Sequence, residues 1–339
     1  MKIALTLNHM AAPADSLALA VAFEAAGGDE VWVPETWGFD APSLMGAIAA
    51  RTTRIGIGAV LPVYSRSPAL IAQTAAGVDA LSGGRALLGL GTSGHQVIEG
   101  WHGVPFRRPL AELREAVTAC RTAWRRDLLE VDGPRPIPLP GGTGRALRMI
   151  TRPERAGIPI TLAALAPGGV RLAAEVADRW WPLFVTPEAI RGVWAVPLAE
   201  GTALRDPSLG PLEVMASAVA WVGTGEGAHL AREAARREIA FYVGSMGSRE
   251  RNYYAMAVAG MGFAADVDAI QDAALGGDRR HAEALVSRDM LDTLALIGDA
   301  ASVRKRLTAL GDCGVTTLSL GPATPDPVAV VAGVRGALV

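Results

Sequence analysis

The sequence predicts an α/β fold, an eight-fold parallel β/α (TIM) barrel with insertions, on three observations. Short β-branched or apolar runs alternate with longer Ala/Leu-rich segments of helical spacing. Eight such runs follow one another without an antiparallel interlude, the pattern of parallel strands covered by helices. The 339 residues exceed the roughly 250 of such a barrel by about 90, a surplus that irregular stretches can absorb. An open doubly wound sheet is the competing arrangement, and eight repeats favour closure.

The first expected strand is Ile3–Leu7, and Asp15 can cap a helix over Ser16–Ala26 that Gly27 and Gly28 end. Glu30–Pro34 (EVWVP) is the second strand, with a helix after Pro42 and Ser43. Arg54–Val60 is the third, and its helix opens at Ser67-Pro68, where proline suits a first turn. Arg85–Gly91 is the fourth, with a long helix over Leu110–Arg126 beyond a loop. The stretch 129–144 is too rich in proline and glycine for regular helix and reads as a hairpin or excursion. Pro159–Ala163, Arg179–Leu183, Glu213–Val222 and Val315–Leu320 complete the eight strands. Helices are expected over Gly169–Ala177, Pro187–Ala199 and Gly227–Val243, and near Ala282–Leu296 and Ala301–Gly311. Gly244–Asp278 reads as irregular, and Pro327–Leu338 as a closing helix. One barrel domain over 1–339 is therefore expected, with insertions near 95–108, 129–158 and 244–298.

Composition narrows the function. With 32 basic against 34 acidic residues and a net charge of −2, the chain lacks the basic surface that binding to nucleic acid needs. Half of the residues are hydrophobic and the 39 glycines have no period of three, which excludes a disordered or collagen-like chain. No apolar run approaches the ~18 residues of a membrane span. Cys120 and Cys313 lie far apart and outside any C-x-x-C pair, so free thiols in a reducing compartment are expected. The apolar start Ile3–Leu7 is broken by Asn8, His9 and Pro13, so no signal peptide is read there. The expectation is a cytoplasmic enzyme acting on a small molecule.

Chemistry in such barrels sits at the C-terminal strand ends. That criterion selects Asn8 and His9, Glu35 and Thr36, Ala59–Pro62, Thr92–Gly94, Ala164–Gly169, Gly223–Gly225, and Gly321 with Pro322. Acids and bases are few among them and small residues many, which suits a flat or phosphate-bearing ligand lying against main chain. Gly89–Gly94 matches G-x-G-x-x-G, but three β/α units precede it and Gly100, Gly103 and Pro105 interrupt any long helix after it. A strand-end turn is the better reading than a dinucleotide fingerprint. Ala164–Val170 joins a strand to an amphipathic helix, and it reads either as a phosphate site built from free amides or as an ordinary turn.

The five histidines form no H-x-H or H-E-x-x-H pattern, so metal catalysis has no support. His9 and His102 lie near the expected mouth, as catalytic candidates or loop-packing residues. Glu35 is the acid set tightly at a strand end, suited to proton transfer or to a hydrogen bond with a rim amide. No G-x-S-x-G elbow supports covalent catalysis.

At these positions the sequence resembles the luciferase-like monooxygenase superfamily, in its branch of oxidoreductases dependent on the deazaflavin coenzyme F420. The likeness is carried by VWVPETWGFDA (31–41), SRSPALIAQTAA (65–76), LSGGRALLGLGTSG (81–94) and VIEGWHGVPF (97–106). It continues through PLPGGTG (138–144), ITLAALAPGGVRLAAEVAD (160–178), VGSMG (243–247) and GVTTL (314–318). The resemblance implies a bacterial-luciferase-like barrel, usually a homodimer, with a planar cofactor in the mouth and its phosphate at the loop after the fifth strand. Cofactor contacts by position are Ala59, Val60, Thr92, Ser93, Gly94, Ala164, Leu165, Ala166, Gly168 and Gly169. A non-prolyl cis peptide is implied at Ala59–Val60. The implied activity is hydride transfer between F420 and a small organic substrate. A reduced-FMN monooxygenase and a non-catalytic flavin-binding barrel are the alternatives. Many relatives place a histidine where this chain has Thr36, and sugar-phosphate dehydrogenase relatives carry a glutamate near Gly94. Their acid–base mechanism is therefore not expected here, and Glu35, His102 or His9 remain as proton carriers.

Overall fold

The computed structural model describes residues 1–338. The chain runs β1 (Lys2–Thr6), α1 (Pro13–Ala25), β2 (Glu30–Pro34), α2 (Ala41–Arg51), β3 (Gly56–Pro62), α3 (Pro68–Ser82) and β4 (Ala86–Gly91). A short α4 (His95–Gly100) and a long α5 (Pro109–Trp124) precede β5 (Ile160–Ala163) and α6 (Pro167–Val176). Then come β6 (Arg179–Trp181), α7 (Pro187–Arg191), α8 (Ala195–Ala203), β7 (Glu213–Ala218) and β8 (Ala220–Val222). A helical excursion follows: α9 (Glu226–Ser245), α10 (Tyr253–Val258), α11 (Ala264–Leu275), α12 (Arg279–Ala284) and α13 (Arg288–Leu294). The chain returns through β9 (Leu296–Gly298), α14 (Ala300–Gly311), β10 (Val315–Leu320) and α15 (Pro327–Leu338).

Eight strands close a barrel in the order β1-β10-β7-β6-β5-β4-β3-β2, and every pair in it is parallel. Proline at the first or second helical position starts α1, α2, α3, α5 and α6, where its missing N–H would have had no partner. Among the described residues no helix is long and apolar enough to cross a membrane.

Two expectations are corrected. Glu213–Val222 is not one strand. The carbonyl of Ala218 accepts from Gly321 N (2.9 Å) in the barrel, and that of Val219 accepts from Leu296 N (2.9 Å). The chain thus changes neighbours within one residue, and β8 pairs with β9 outside the barrel. Gly244–Asp278 is not irregular either. α10 and α11 occupy about half of it, and Gly260 and Gly262 fall in the π-turn Ala259–Phe263, where Gly262 takes φ 102°. Helices α9–α13 enclose a second apolar core around Val243, Val258, Ile270 and Met290, which also takes in Phe184 and Val219 at the end of the barrel.

Alternation along the strands sends Ile3, Leu5, Val31, Val33, Ile57 and Leu88 outward into the helix-covered core. The inward set fills the barrel in layers. At the strand starts, Arg179 donates to Glu30 (2.7 Å) and to Glu213 (2.9 Å). Above them Trp32 packs with Ala4 and Met215, its indole donating to Glu30 (3.0 Å). Glycine makes room for this ring: a Cβ at Gly58 would stand 2.5 Å from it. At the strand ends Trp181 meets Trp32 edge-on with centroids 4.9 Å apart, and donates to Ser217 (2.7 Å). Thr6 and Ser319 are hydrogen-bonded across the same level (2.9 Å). The mouth therefore has a floor of small polar groups laid over buried tryptophan.

Candidate active site

The loops that follow β1, β2, β3, β4 and β5 belong to neighbouring strands, so the positions singled out in the sequence form one continuous arc of the rim. The best-defined part is the turn from β5 into α6. Helix α6 has no side-chain N-cap, and Pro167 at its first position has no N–H. The amides of Gly168 and Gly169 in the first turn have no intrahelical acceptor and face a positive helix end. Both positions are tight: a Cβ at Gly168 would lie 3.0 Å from Leu110, and one at Gly169 would lie 3.0 Å from the Ala164 methyl.

The turn is held from behind. Trp180 donates its indole N–H to the Ala164 carbonyl (2.9 Å), and Trp194 donates to that of Leu165 (3.0 Å). The two rings are buried and meet edge-on at 5.2 Å. The two indoles fix the carbonyls of the turn, while the amides of Gly168 and Gly169 are left without an acceptor. Such a cradle suits a phosphate.

Beside it, β4 ends in Thr92, Ser93 and Gly94. Ser93 adopts a left-handed backbone (φ 56°), and Gly94 has open space around its missing side chain. On the neighbouring strand Val60 points into the mouth, whereas Ala59 is buried in the outer core, so only its main chain can face the site. The cis peptide implied at Ala59–Val60 is not present. Among the described residues the cis bond is Ile137–Pro138. β3 keeps an unbroken register there, Ala59 opposite Val33 and Leu88, and Val60 opposite Pro34 and Gly89. The close approach is absorbed by Gly89, whose Cβ would stand 2.5 Å from the Ala59 carbonyl.

Glu35 is fully engaged. Its carboxylate accepts from Arg66 through both guanidinium amines, Nη2 at 2.8 Å, and from the amide of Ala41 that opens α2 (2.8 Å). The pair braces the loop after β2 against the loop after β3. His9 is exposed on the first loop, where Asn8 accepts from the Met10 amide (2.9 Å). His102 follows α4. Its Nε2 is shielded and has no hydrogen-bond partner. The segment carrying it is pinned by Tyr64, which stacks with Phe106 at 5.3 Å and donates to the Arg107 carbonyl (2.7 Å). No hydrogen bond joins Glu35, His9 and His102 to one another.

An apolar lip surrounds this arc: Met10, Trp37, Phe39 and Trp101 are all more than half exposed. Sequence reading did not find Arg66, Trp180 or Trp194. Arg66 lies within the SRSPALIAQTAA segment, but its partner is 31 residues away. The indoles carry no local signal, since their acceptors are main-chain carbonyls.

The sequence profile of the luciferase-like monooxygenase family matches residues 2–317. A Mycobacterium tuberculosis protein, described provisionally as a coenzyme F420-dependent oxidoreductase, is 34% identical over 337 residues, 97% of each chain. The 5,10-methylenetetrahydromethanopterin reductase of Methanolobus tindarius is 28% identical, with 88% of this chain and 87% of that one covered. Among solved structures, the F420-dependent tetrahydromethanopterin reductase of Methanopyrus kandleri superposes with a TM-score of 0.82 at 23% identity, covering 98% of this chain and 96% of the other. An F420-dependent secondary alcohol dehydrogenase bound to an F420–acetone adduct superposes at 0.72 and 21% identity, covering 98% and 99%. These last two likenesses concern the fold. With the profile match and the full-length relative, the chain belongs to the luciferase-like monooxygenase family, in its branch of F420-dependent oxidoreductases.

Proposed function

We propose that this protein is an oxidoreductase that binds F420 in the barrel mouth and exchanges a hydride with a small organic substrate. The observation that carries the reading is the cradle after β5: two uncapped amides at a helix start, closed to side chains, on a turn fixed by two buried indoles. Gly168 and Gly169 would hold the cofactor phosphate. Val60, Thr92, Ser93, Gly94 and Ala164–Ala166 would border the ring system, with Trp181 and the small polar floor beneath it. A bound deazaflavin supplies or accepts the hydride at C5, and the protein contributes orientation, a dry surface and proton handling.

Glu35 serves this site as a brace, since its oxygens are taken by Arg66 and Ala41. His102 and His9 remain within reach of the mouth as proton carriers. Thr36 and Gly94 stand where sugar-phosphate dehydrogenase relatives carry their acid–base pair, which argues against that substrate despite 32% identity over 221 residues to the Beutenbergia cavernae F420-dependent glucose-6-phosphate dehydrogenase. We further infer a single working barrel unit that acts as a cytoplasmic homodimer, checked by sedimentation equilibrium.

Fluorescence titration with F420 and with FMN tests the cofactor. Micromolar or tighter F420 binding, at least tenfold stronger than FMN, is expected. Tight reduced-FMN binding with oxygen consumption would replace this reading with a monooxygenase.

A further inference from the structure

Two to three strands around the ring from the cradle, the mouth holds an acid that none of the strand-end positions includes. Glu238 lies in the middle of α9, and its carboxylate packs against the turn that follows β10. A Cβ at Gly321 would come within 3.2 and 3.4 Å of its two oxygens and 3.5 Å from the Ala218 carbonyl. That places the carboxylate over the seam between β7 and β10, at the C-terminal rim. It faces the Ala323 amide, and no charged side chain from α10–α13 or from the strand ends acts on it. One turn on, Tyr242 packs edge-on against Phe184 at the end of β6 (5.9 Å) and lies 4.8 Å from the Tyr254 ring of α10. Fully buried Asn252 fixes this corner: it donates to the Tyr242 and Val243 carbonyls (2.8 and 2.7 Å) and accepts from the Tyr254 and Ala255 amides.

A carboxyl in a protein crevice without a cation is in the wrong place for a structural ion pair and in the right place for proton exchange. Burial pushes it up to about 7. The phenols of Tyr242 and Tyr254 are pushed upward as well, so they stay protonated beside it.

We propose that Glu238 is the proton-exchanging residue of this enzyme, set on the β7–β10 side of the mouth that holds the cofactor cradle, and that its substrate is a carbonyl or alcohol lodged between α9 and the cofactor. The proposal rests on the F420 reading above. In the reducing direction the carbonyl carbon gains the hydride from C5 of reduced F420 and its C=O π bond breaks. The carbonyl oxygen takes the proton of the Glu238 carboxyl. F420 is oxidised by two electrons and releases its remaining proton to solvent, from which Glu238 is reprotonated.

The test uses the full-length protein with Glu238→Gln and Glu238→Asp. Without cofactor, infrared difference spectra should show a protonated carboxyl band titrating near neutral pH, absent in E238Q. Loss of that band over the acid range alone overturns the proposal. F420 affinity, read by fluorescence, should be equal in wild type and E238Q. Reduced F420 is then supplied with a panel of aldehydes and ketones. On whichever the wild type reduces, E238Q should lower kcat roughly 100-fold and abolish the fall in kcat above neutral pH, with partial rescue in E238D. Turnover with an unchanged kcat and pH profile in E238Q overturns the Glu238 role alone. Failure of the wild type to reduce any member, with F420 bound, overturns the hydride-transfer reading and the role together.

Discussion

Replacing Arg179 with methionine removes the cation of the barrel's lowest layer while keeping its volume. Glu30 is 3% exposed and loses its bidentate partner (2.7 and 3.1 Å), retaining only the Trp32 indole at 3.0 Å and the half-exposed Lys2 ammonium at 3.5 Å. Glu213 is far more open and can be hydrated instead. Breaking a buried pair costs about 3–5 kcal/mol, and the two remaining partners place this case near 3 kcal/mol at pH 7. In the wild type, Glu30 is held below the ordinary carboxylate range: burial opposes ionisation, and Arg179, Trp32 and Lys2 outweigh it. That stability is present above pH ~4.5 and is lost as pH falls through the native value. In R179M burial is left largely unopposed and the carboxyl rises, so its penalty acts at neutral pH and fades toward pH 4. Urea denaturation at pH 7, 5.5 and 4 should show the gap between the two proteins narrowing, and Glu30→Gln added to R179M should restore most of it. A gap below about 1 kcal/mol, or one independent of pH, would refute the argument.

Other substitutions probe the site. Gly169→Asp should weaken F420 binding at least tenfold by placing an anion beside the phosphate cradle, while Gly46→Ala on α2, which meets nothing within 4 Å, should leave affinity nearly unchanged in the same fluorescence titration. Trp194→Phe leaves the Leu165 carbonyl without its donor and should cost about 1–3 kcal/mol in urea and several-fold in F420 affinity. Gly89→Ala drives a methyl to 2.5 Å from the Ala59 main-chain oxygen, and a loss of about 2 kcal/mol is expected by thermal denaturation. Glu238→Gln should flatten the stability profile. The raised carboxyl of the wild type contributes below pH ~4.5 and loses that contribution as pH climbs through about 7, on the order of 3 kcal/mol by urea titration.

Barrel closure was legible because parallel strands buried on both faces read as short apolar runs, and all eight begin within two residues of the expected start. The rim positions were legible because the strand ends were. What sequence could not show depended on distant partners. Glu35 looks free until Arg66 arrives from the next loop. The three-residue β9 merges into the helical pattern around it, and glycines at 260 and 262 suggest a loop where a π-turn merely interrupts helix. Glu238 sits mid-helix, four residues before Tyr242, and only the turn at Gly321 reveals that it overlooks the mouth.

The departure and return of the helical excursion lie side by side, since β8 and β9 pair residue for residue, Ala220 with Leu296 and Val222 with Gly298. A segment clipped to its scaffold at two adjacent points can be lengthened, shortened or exchanged with little effect on the closure of the ring beneath. The ring can therefore keep its closure while the excursion clipped to it changes in length or sequence.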